Sequence, residues 1–199
     1  MKKTEIEAKF LNVDFDMIRA KLVDLGATLE HPMRLMRRVI FNVPNTPHKG
    51  FDFVRVRDEG HAVTLTYKHF HNEGVISGVT ELETTVGDFD TTVALLEAFG
   101  LEYKSLQETR RETWRLGTVE IVLDEWPWLN PYVEVEGLSE QEVRRVASQL
   151  GFSWDAAVFG PTPQAYQAQY PDGDAAQLIE IPRVAFDEPI PAIISGQKE

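Results

Sequence analysis

Residues 4–10 read TEIEAKF, which puts Glu5, Glu7 and Lys9 at alternate positions of a stretch that otherwise reads as a strand. Side chains two apart on a strand share a face, so two carboxylates and an ammonium stand in one row. The pattern returns twice, as Glu81 and Glu83 and again as Glu134 and Glu136. Each copy is followed by a short link and an amphipathic helix. Residues 14–26 read DFDMIRAKLVDLG and residues 88–100 read DFDTTVALLEAFG, with the same opening Asp-Phe-Asp and the same closing Gly. A weaker third copy is LSEQEVRRVASQLG at 138–151. The repeating unit is therefore strand, link, helix.

Local chemistry sets the helix ends. Asp14 and Asp88 are expected N-caps, Ser139 with Glu142 forms a capping-box pattern, and Gly26, Gly100 and Gly151 are expected stops. The apolar stripes are Ile18, Leu22 and Leu25; Val93, Leu96 and Phe99; and Val143, Val146 and Leu150. Between the helices the sequence alternates with the period of a strand. In FDFVRVRD (51–58), Arg55 and Arg57 oppose Val54 and Val56. In AVTLTYK (62–68), Thr64, Thr66 and Lys68 oppose Val63, Leu65 and Tyr67. In TVEIVLD (118–124), Glu120, Val122 and Asp124 oppose Val119, Ile121 and Leu123. Strands are expected near 34–43, 51–58, 62–69, 76–85, 105–116, 118–124 and 131–136 besides the first. About eight is roughly the number at which an antiparallel sheet closes on itself, so an α+β fold is expected, a closed eight-stranded barrel with its helices outside.

A sheet with one face in water also needs polar residues at every second position. Here, however, the polar face repeatedly carries Glu-x-Glu or Arg-x-Arg, with like charges about 7 Å apart. At an effective dielectric near 20 each such pair costs roughly 2 kcal/mol, more than exposed ion pairs return. Three things would offset this: pairing of acids with bases across a barrel, divalent cations on the carboxylates, and a polyanion on the basic side. Oxygen donors without Cys or His favour magnesium, manganese or calcium over zinc.

Composition narrows the partners. The chain has 199 residues, is 43% hydrophobic and 26% charged, and carries a formal net charge of -12 with no cysteine. That balance argues against a nucleic-acid polymer or a membrane surface, both of which call for a basic footprint. Disulfides and thiolate zinc sites are excluded, which fits a reducing compartment. Lys2 and Lys3 resemble the start of a signal peptide, but Glu5, Glu7 and Lys9 interrupt the apolar run that should follow. A cytoplasmic protein is expected.

The series "EIEAKF", "FVRVRD", "LTYK", "ELE", "RRETW", "EIVLDEWP" and "YVEVEG" resembles, in order, the strands of the CYTH superfamily, also called triphosphate tunnel metalloenzymes. That superfamily includes class IV adenylyl cyclases, thiamine triphosphatases and inorganic triphosphatases. The resemblance covers about residues 1–160 and implies a charged tunnel through a closed barrel. It implies that Glu5, Glu7, Asp124, Glu134 and Glu136 bind Mg2+ or Mn2+. Lys9, Arg38, Arg55, Arg57, Lys68 and Arg111 would cradle a triphosphate, while Glu81 and Glu83 bind metal or support the basic residues. Glu5, Glu7 and Lys68 are the candidate catalytic groups. Thr109 stands where many relatives have a basic residue, so a cation is missing from the inward row unless Arg110 or Arg38 replaces it.

The function expected is divalent-metal-dependent hydrolysis of inorganic triphosphate or a small organic triphosphate. The alternatives are a class IV adenylyl cyclase and a noncatalytic module that binds nucleotide or polyphosphate. Phosphoryl transfer needs neutralised equatorial oxygens and an aligned water, with no protein nucleophile.

Other residues point to packing. His69 and His71 flank Phe70 without an evident third metal ligand. Trp126 and Trp128 suit a barrel rim better than base stacking. Arg144 and Arg145 belong on the exposed side of the third helix. Residues 161–199 form a C-terminal extension, rich in turn formers and proline, with Tyr166 and Tyr170 on a short helical segment. Its apolar residues favour docking, on the barrel or on the partner subunit of a homodimer.

Overall fold

Period-two alternation becomes a single curled antiparallel sheet. The computed structural model describes residues 2–43, 52–70 and 79–197. The N-terminal strand has two segments, β1 (Lys2–Glu5) and β2 (Glu7–Leu11). Then come β3 (Thr28–Asn42), β4 (Phe53–Asp58), β5 (Val63–Phe70), β6 (Val79–Val86), β7 (Glu102–Leu116), β8 (Val119–Glu125) and β9 (Tyr132–Glu136). The order across the sheet is β1-β6-β5-β4-β3-β7-β8-β9-β2. The two N-terminal segments together count as one strand, which makes eight.

The closed barrel expected from the strand count is corrected to a half-barrel. Among the described residues, positions 2–5 pair with β6 and positions 7–11 with β9, and on the other edge of β2 Lys9 exchanges two backbone hydrogen bonds with Val158 at 2.9 Å. The strand changes partner at Ile6, so none of its residues carries both ladders. That is where the ring of hydrogen bonds stays open.

Three helices follow the repeat: α1 (Phe15–Asp24), α2 (Phe89–Ala98) and α3 (Glu140–Gln149). Asp14, Asp88 and Ser139 accept hydrogen bonds from the first-turn amides. Each helix ends in the same way, with a left-handed glycine followed by an amide that reaches back across the last turn. Gly26 has φ 74°, and Ala27 N–H donates to the Leu22 carbonyl at 2.9 Å. Gly100 and Gly151 repeat this with Leu101 and Phe152. Glycine is suited to a positive φ that costs other residues energy, which explains its place at all three stops.

The outer face of the sheet is the core. Ile18 and Leu22 of α1, Val143 and Val146 of α3 and its C-cap Leu150 pack on Ala8, Phe10, Ile121, Leu123, Val133 and Val135. Fully burying each such aliphatic side chain stabilises the fold by about 1.5–3 kcal/mol. Under α2 a smaller cluster joins Val93 and Leu96 to Val54, Val56, Val63 and Leu65. Phe99 departs from its expected stripe: it is 74% exposed at the C-cap of α2.

The C-terminal segment builds α4 (Thr162–Gln169), a 3-10 turn (Ala175–Glu180), the two-residue β10 (Arg183–Val184) and α5 (Ala192–Ser195). It packs on the sheet where β3 and β8 end and β7 begins. β10 runs parallel to Leu106 and Gln107 of β7. Tyr166 is fully buried, its hydroxyl donating to the Pro127 carbonyl at 2.5 Å. Tyr166, Leu178, Val184 and Ile194 share an apolar cluster with Trp126, Leu129 and Tyr132. No helix among the described residues is long and apolar enough to cross a membrane.

Candidate functional site

With the apolar face given to helices, the polar face of the half-barrel lines a cavity of about 300 Å³. Lys9, Arg38, Arg55, Arg57, Lys68 and Arg111 all line it, drawn from β2, β3, β4, β5 and β7. So do Glu7, Glu81, Glu83, Glu134 and Glu136. Strand alternation brings most of them together, since each occupies an inward position of its strand. Glu5 belongs to the same expected set, but its side chain lies outside the described residues.

Acids and bases interlock inside the cavity. Lys9, only 2% exposed, donates to Glu7 Oε1 at 2.5 Å and to the Gly160 carbonyl at 2.8 Å, and lies 3.4 Å from Glu134. Arg111 Nε donates to Asp124 Oδ1 at 2.8 Å, and its Nη2 donates to Glu134 Oε2 at 3.1 Å. Lys68 lies 3.3 Å from Glu81. Arg55 reaches Glu83 at 3.5 Å, beside Thr66, whose hydroxyl donates to Glu83 at 2.7 Å. Arg57 Nε donates to Glu59 at 2.8 Å. Glu81 and Glu83 thus steady two of the basic side chains.

Arg38 stands apart. It is 5% exposed, and its hydrogen bond goes from Nη2 to Thr109 Oγ1 at 2.8 Å. Its guanidinium lies 4.6 Å from the centre of the Trp126 ring. Among the described residues its Nε has no hydrogen-bond partner, and no carboxylate pairs with it. Burial depresses its pKa, and the charges of Arg57, Arg55 and Arg111 push it further down. The other lining cations each have a carboxylate within 4 Å. Arg38 on β3 thus sets a cation beside Thr109 of β7. Arg110 points outward, to Glu125 and over the Phe186 ring.

Two acids differ from the sequence expectation. Asp124 does not line the cavity: it is completely buried, held by Arg111 and by the Tyr132 hydroxyl at 3.2 Å. It orients Arg111. Glu120, absent from the expected set, does line the cavity. It sits directly opposite Glu136, and Glu136 sits directly opposite Glu7, so three carboxylates stand abreast on β8, β9 and β2. Glu120 alternates with Val122 and Asp124, and this was the signal in the sequence that could have found it. Like charges directly opposite in a sheet are destabilising. Their hard oxygens suit Mg2+ or Mn2+. Among the described side chains no three potential ligands form a preformed metal centre.

The field of the cavity is strong at Glu134. Burial would raise its pKa, but Lys9, Arg111 and Lys68 outweigh burial and bring it from 4.5 to about 2. A carboxylate whose folded pKa is depressed stabilises the fold above its unfolded pKa and loses that contribution as the pH falls through the folded one. Denaturant midpoints should therefore decline between about pH 4.5 and 2, and Glu134→Gln should flatten that part of the curve.

Of the remaining residues singled out in the sequence, His69 Nδ1 lies 2.9 Å from Asp52, and His71 lies outside the described residues. Trp126 packs edge-on against Tyr166 while also lining the cavity. Trp128 donates through its Nε1 to the Glu188 carbonyl at 2.7 Å. Arg144 pairs with Glu140 and lies over Trp154.

The profile of the CYTH domain matches residues 3–155. No curated protein sequence matches the chain. Among solved structures, the PH1012 protein of Pyrococcus horikoshii is 24% identical with a TM-score of 0.64, over 77% of this chain and 93% of that one. A candidate adenylate cyclase from Vibrio parahaemolyticus is 14% identical with a TM-score of 0.67, over 78% and 92%. Another from Bacillus halodurans is 21% identical with a TM-score of 0.54, over 76% and 92%. At these identities the likeness is one of fold.

Proposed function

The chain belongs to the CYTH family, and from that premise we propose that it hydrolyses inorganic triphosphate or a small organic triphosphate with the help of a divalent cation. The observation that carries this reading is the convergence of six cationic side chains and a bank of carboxylates on one cavity of about 300 Å³. A triphosphate presents several negative oxygens along a short chain, and a cradle of guanidinium and ammonium groups matches it.

Arg38, Arg55, Arg57 and Lys68 would bind the nonbridging oxygens and stabilise the charge that spreads over them in the transition state. Arg111, fixed by Asp124, would keep its remaining donors aimed at the chain. Glu7, Glu134 and Glu136, with Glu120 beside them, would hold Mg2+ or Mn2+, and Glu5 belongs to the same proposal. Such a cation polarises phosphoryl oxygens and makes bound water more acidic. Glu7 would take a proton from the attacking water. The new bond joins that water's oxygen to the terminal phosphorus, and the anhydride bond breaks to release orthophosphate and the shortened chain.

Members of the family are triphosphatases or adenylate cyclases. A cyclase would use the same cradle with a ribose hydroxyl as nucleophile, and an apolar wall at one end of the cavity favours that second reading. The noncatalytic reading rested on Thr109, and a cation beside it, Arg38, supports the catalytic reading instead. The deciding experiment incubates the purified protein with tripolyphosphate, thiamine triphosphate and ATP in magnesium or manganese, following phosphate and cyclic AMP separately. Phosphate release supports the hydrolase and cyclic AMP the cyclase. Binding with neither product would leave the module.

A further inference from the structure

We infer that the segment after residue 155 builds an apolar subsite at one end of the cavity, one that receives the organic group of a triphosphate monoester; this rests on the triphosphate cradle proposed above. Where β3 and β8 end and β4 begins, apolar lining residues gather beside the Lys68–Glu81 pair, with Lys68 directly opposite Phe53. Ile40, Phe53 and Trp126 come from the sheet side, and Pro163 and Ile179 come from the C-terminal segment. That segment lies beyond the matched domain, which stops at residue 155.

Core packing does not explain Ile179. Its neighbour Leu178 is buried in the cluster around Tyr166. Ile179 is half-buried, lines the cavity and joins none of the three apolar clusters among the described residues. An inorganic triphosphate has no apolar surface with which to cover such a wall. An organic substituent has, and ligand pockets commonly pair an apolar wall with a few placed polar groups.

Arg38 marks the boundary. It lines the cavity with the other cradle cations, and its guanidinium lies over the Trp126 ring. A phosphate chain held by Arg38 would therefore have its ester group next to the wall. An aromatic or heterocyclic group is the occupant that suits Phe53 and Ile179.

The test compares two ligands of equal charge. The bis(methylene) analogues of adenosine triphosphate and of methyl triphosphate resist cleavage, and their binding in magnesium is measured by calorimetry. The wild-type chain should bind the adenosine ester about tenfold more tightly than the methyl ester, the order expected for a modest apolar area covered. Ile179→Ser should reduce that ratio about threefold and leave methyl ester affinity unchanged. Equal affinity of the two esters for the wild type would overturn the subsite and leave the cradle standing. An equal loss for both esters in Ile179→Ser would also overturn it, since Ile179 would then act on the structure as a whole. Failure of both esters to bind the wild type would overturn the cradle itself, and the subsite with it.

Discussion

Replacing Arg38 with methionine is expected to weaken triphosphate binding about a hundredfold while leaving the unliganded protein as stable as before, or about 1 kcal/mol more stable. The two effects have opposite signs for one reason. Arg38 is buried beside Arg55, Arg57 and Arg111, with Thr109 as its hydrogen-bond partner and no carboxylate paired to it among the described residues. Taking a charge out of water without a counterion costs several kcal/mol, and the contact with Trp126 returns only part of it. A polyanion would supply what is missing. Methionine keeps much of the side-chain volume and can pack against the indole. Calorimetric titration with tripolyphosphate, alongside thermal unfolding, checks both halves. A melting temperature several degrees lower with unchanged affinity would make Arg38 a structural residue and remove it from the cradle.

Glu134→Gln should act in the reverse sense. Glu134 sits between Lys9 and Arg111 in the buried part of the cavity, and their charges hold its pKa near 2. Removing its charge deprives two buried cations of a shared partner, for a loss of about 3 kcal/mol in unfolding free energy. Lys9 keeps Glu7 and Arg111 keeps Asp124, so the fold should survive. With one negative charge fewer, metal-free tripolyphosphate should bind more tightly. Turnover should need more magnesium, because a carboxylate has left the bank. Urea titration, metal-free calorimetry and a magnesium titration test these in turn; unchanged values in all three would deny Glu134 any part in the site.

These residues also show how far the sequence could be read. The three helices were legible because capping is local: an Asp or Ser at the start and a Gly at the stop decide each end within a few residues. The rows on β4 and β5 were legible because their register is regular, with Arg55 opposite Thr66 and Arg57 opposite Thr64. β3 was harder. Its pairing with β7 shifts register near Leu29, His31 and Ile40, so alternation alone does not say which of its arginines turns inward. Asp124 shares a strand face with Glu120, but its cross-strand neighbours Arg111 and Tyr132 absorb it. No pattern within β8 reports that. The open seam was hidden for a similar reason, since counting strands says nothing about a strand that changes partner midway. Residues 161–197 lack a sustained period, and their docking depends on surfaces that form elsewhere.

The split N-terminal strand bears on the order in which the molecule comes together. Glu7 and Lys9 reach their places only when β2 finds β9, and Glu7 lies opposite Glu136. During synthesis, then, this strand must wait for residues 132–136 to leave the ribosome. Pairings between such distant parts of a chain close slowly. Until then an unpaired edge stays available to other chains, a hazard for aggregation. The interrupted charges along Glu5, Glu7 and Lys9 would discourage such contacts, so groups read here as serving a ligand would also guard the chain before it is complete.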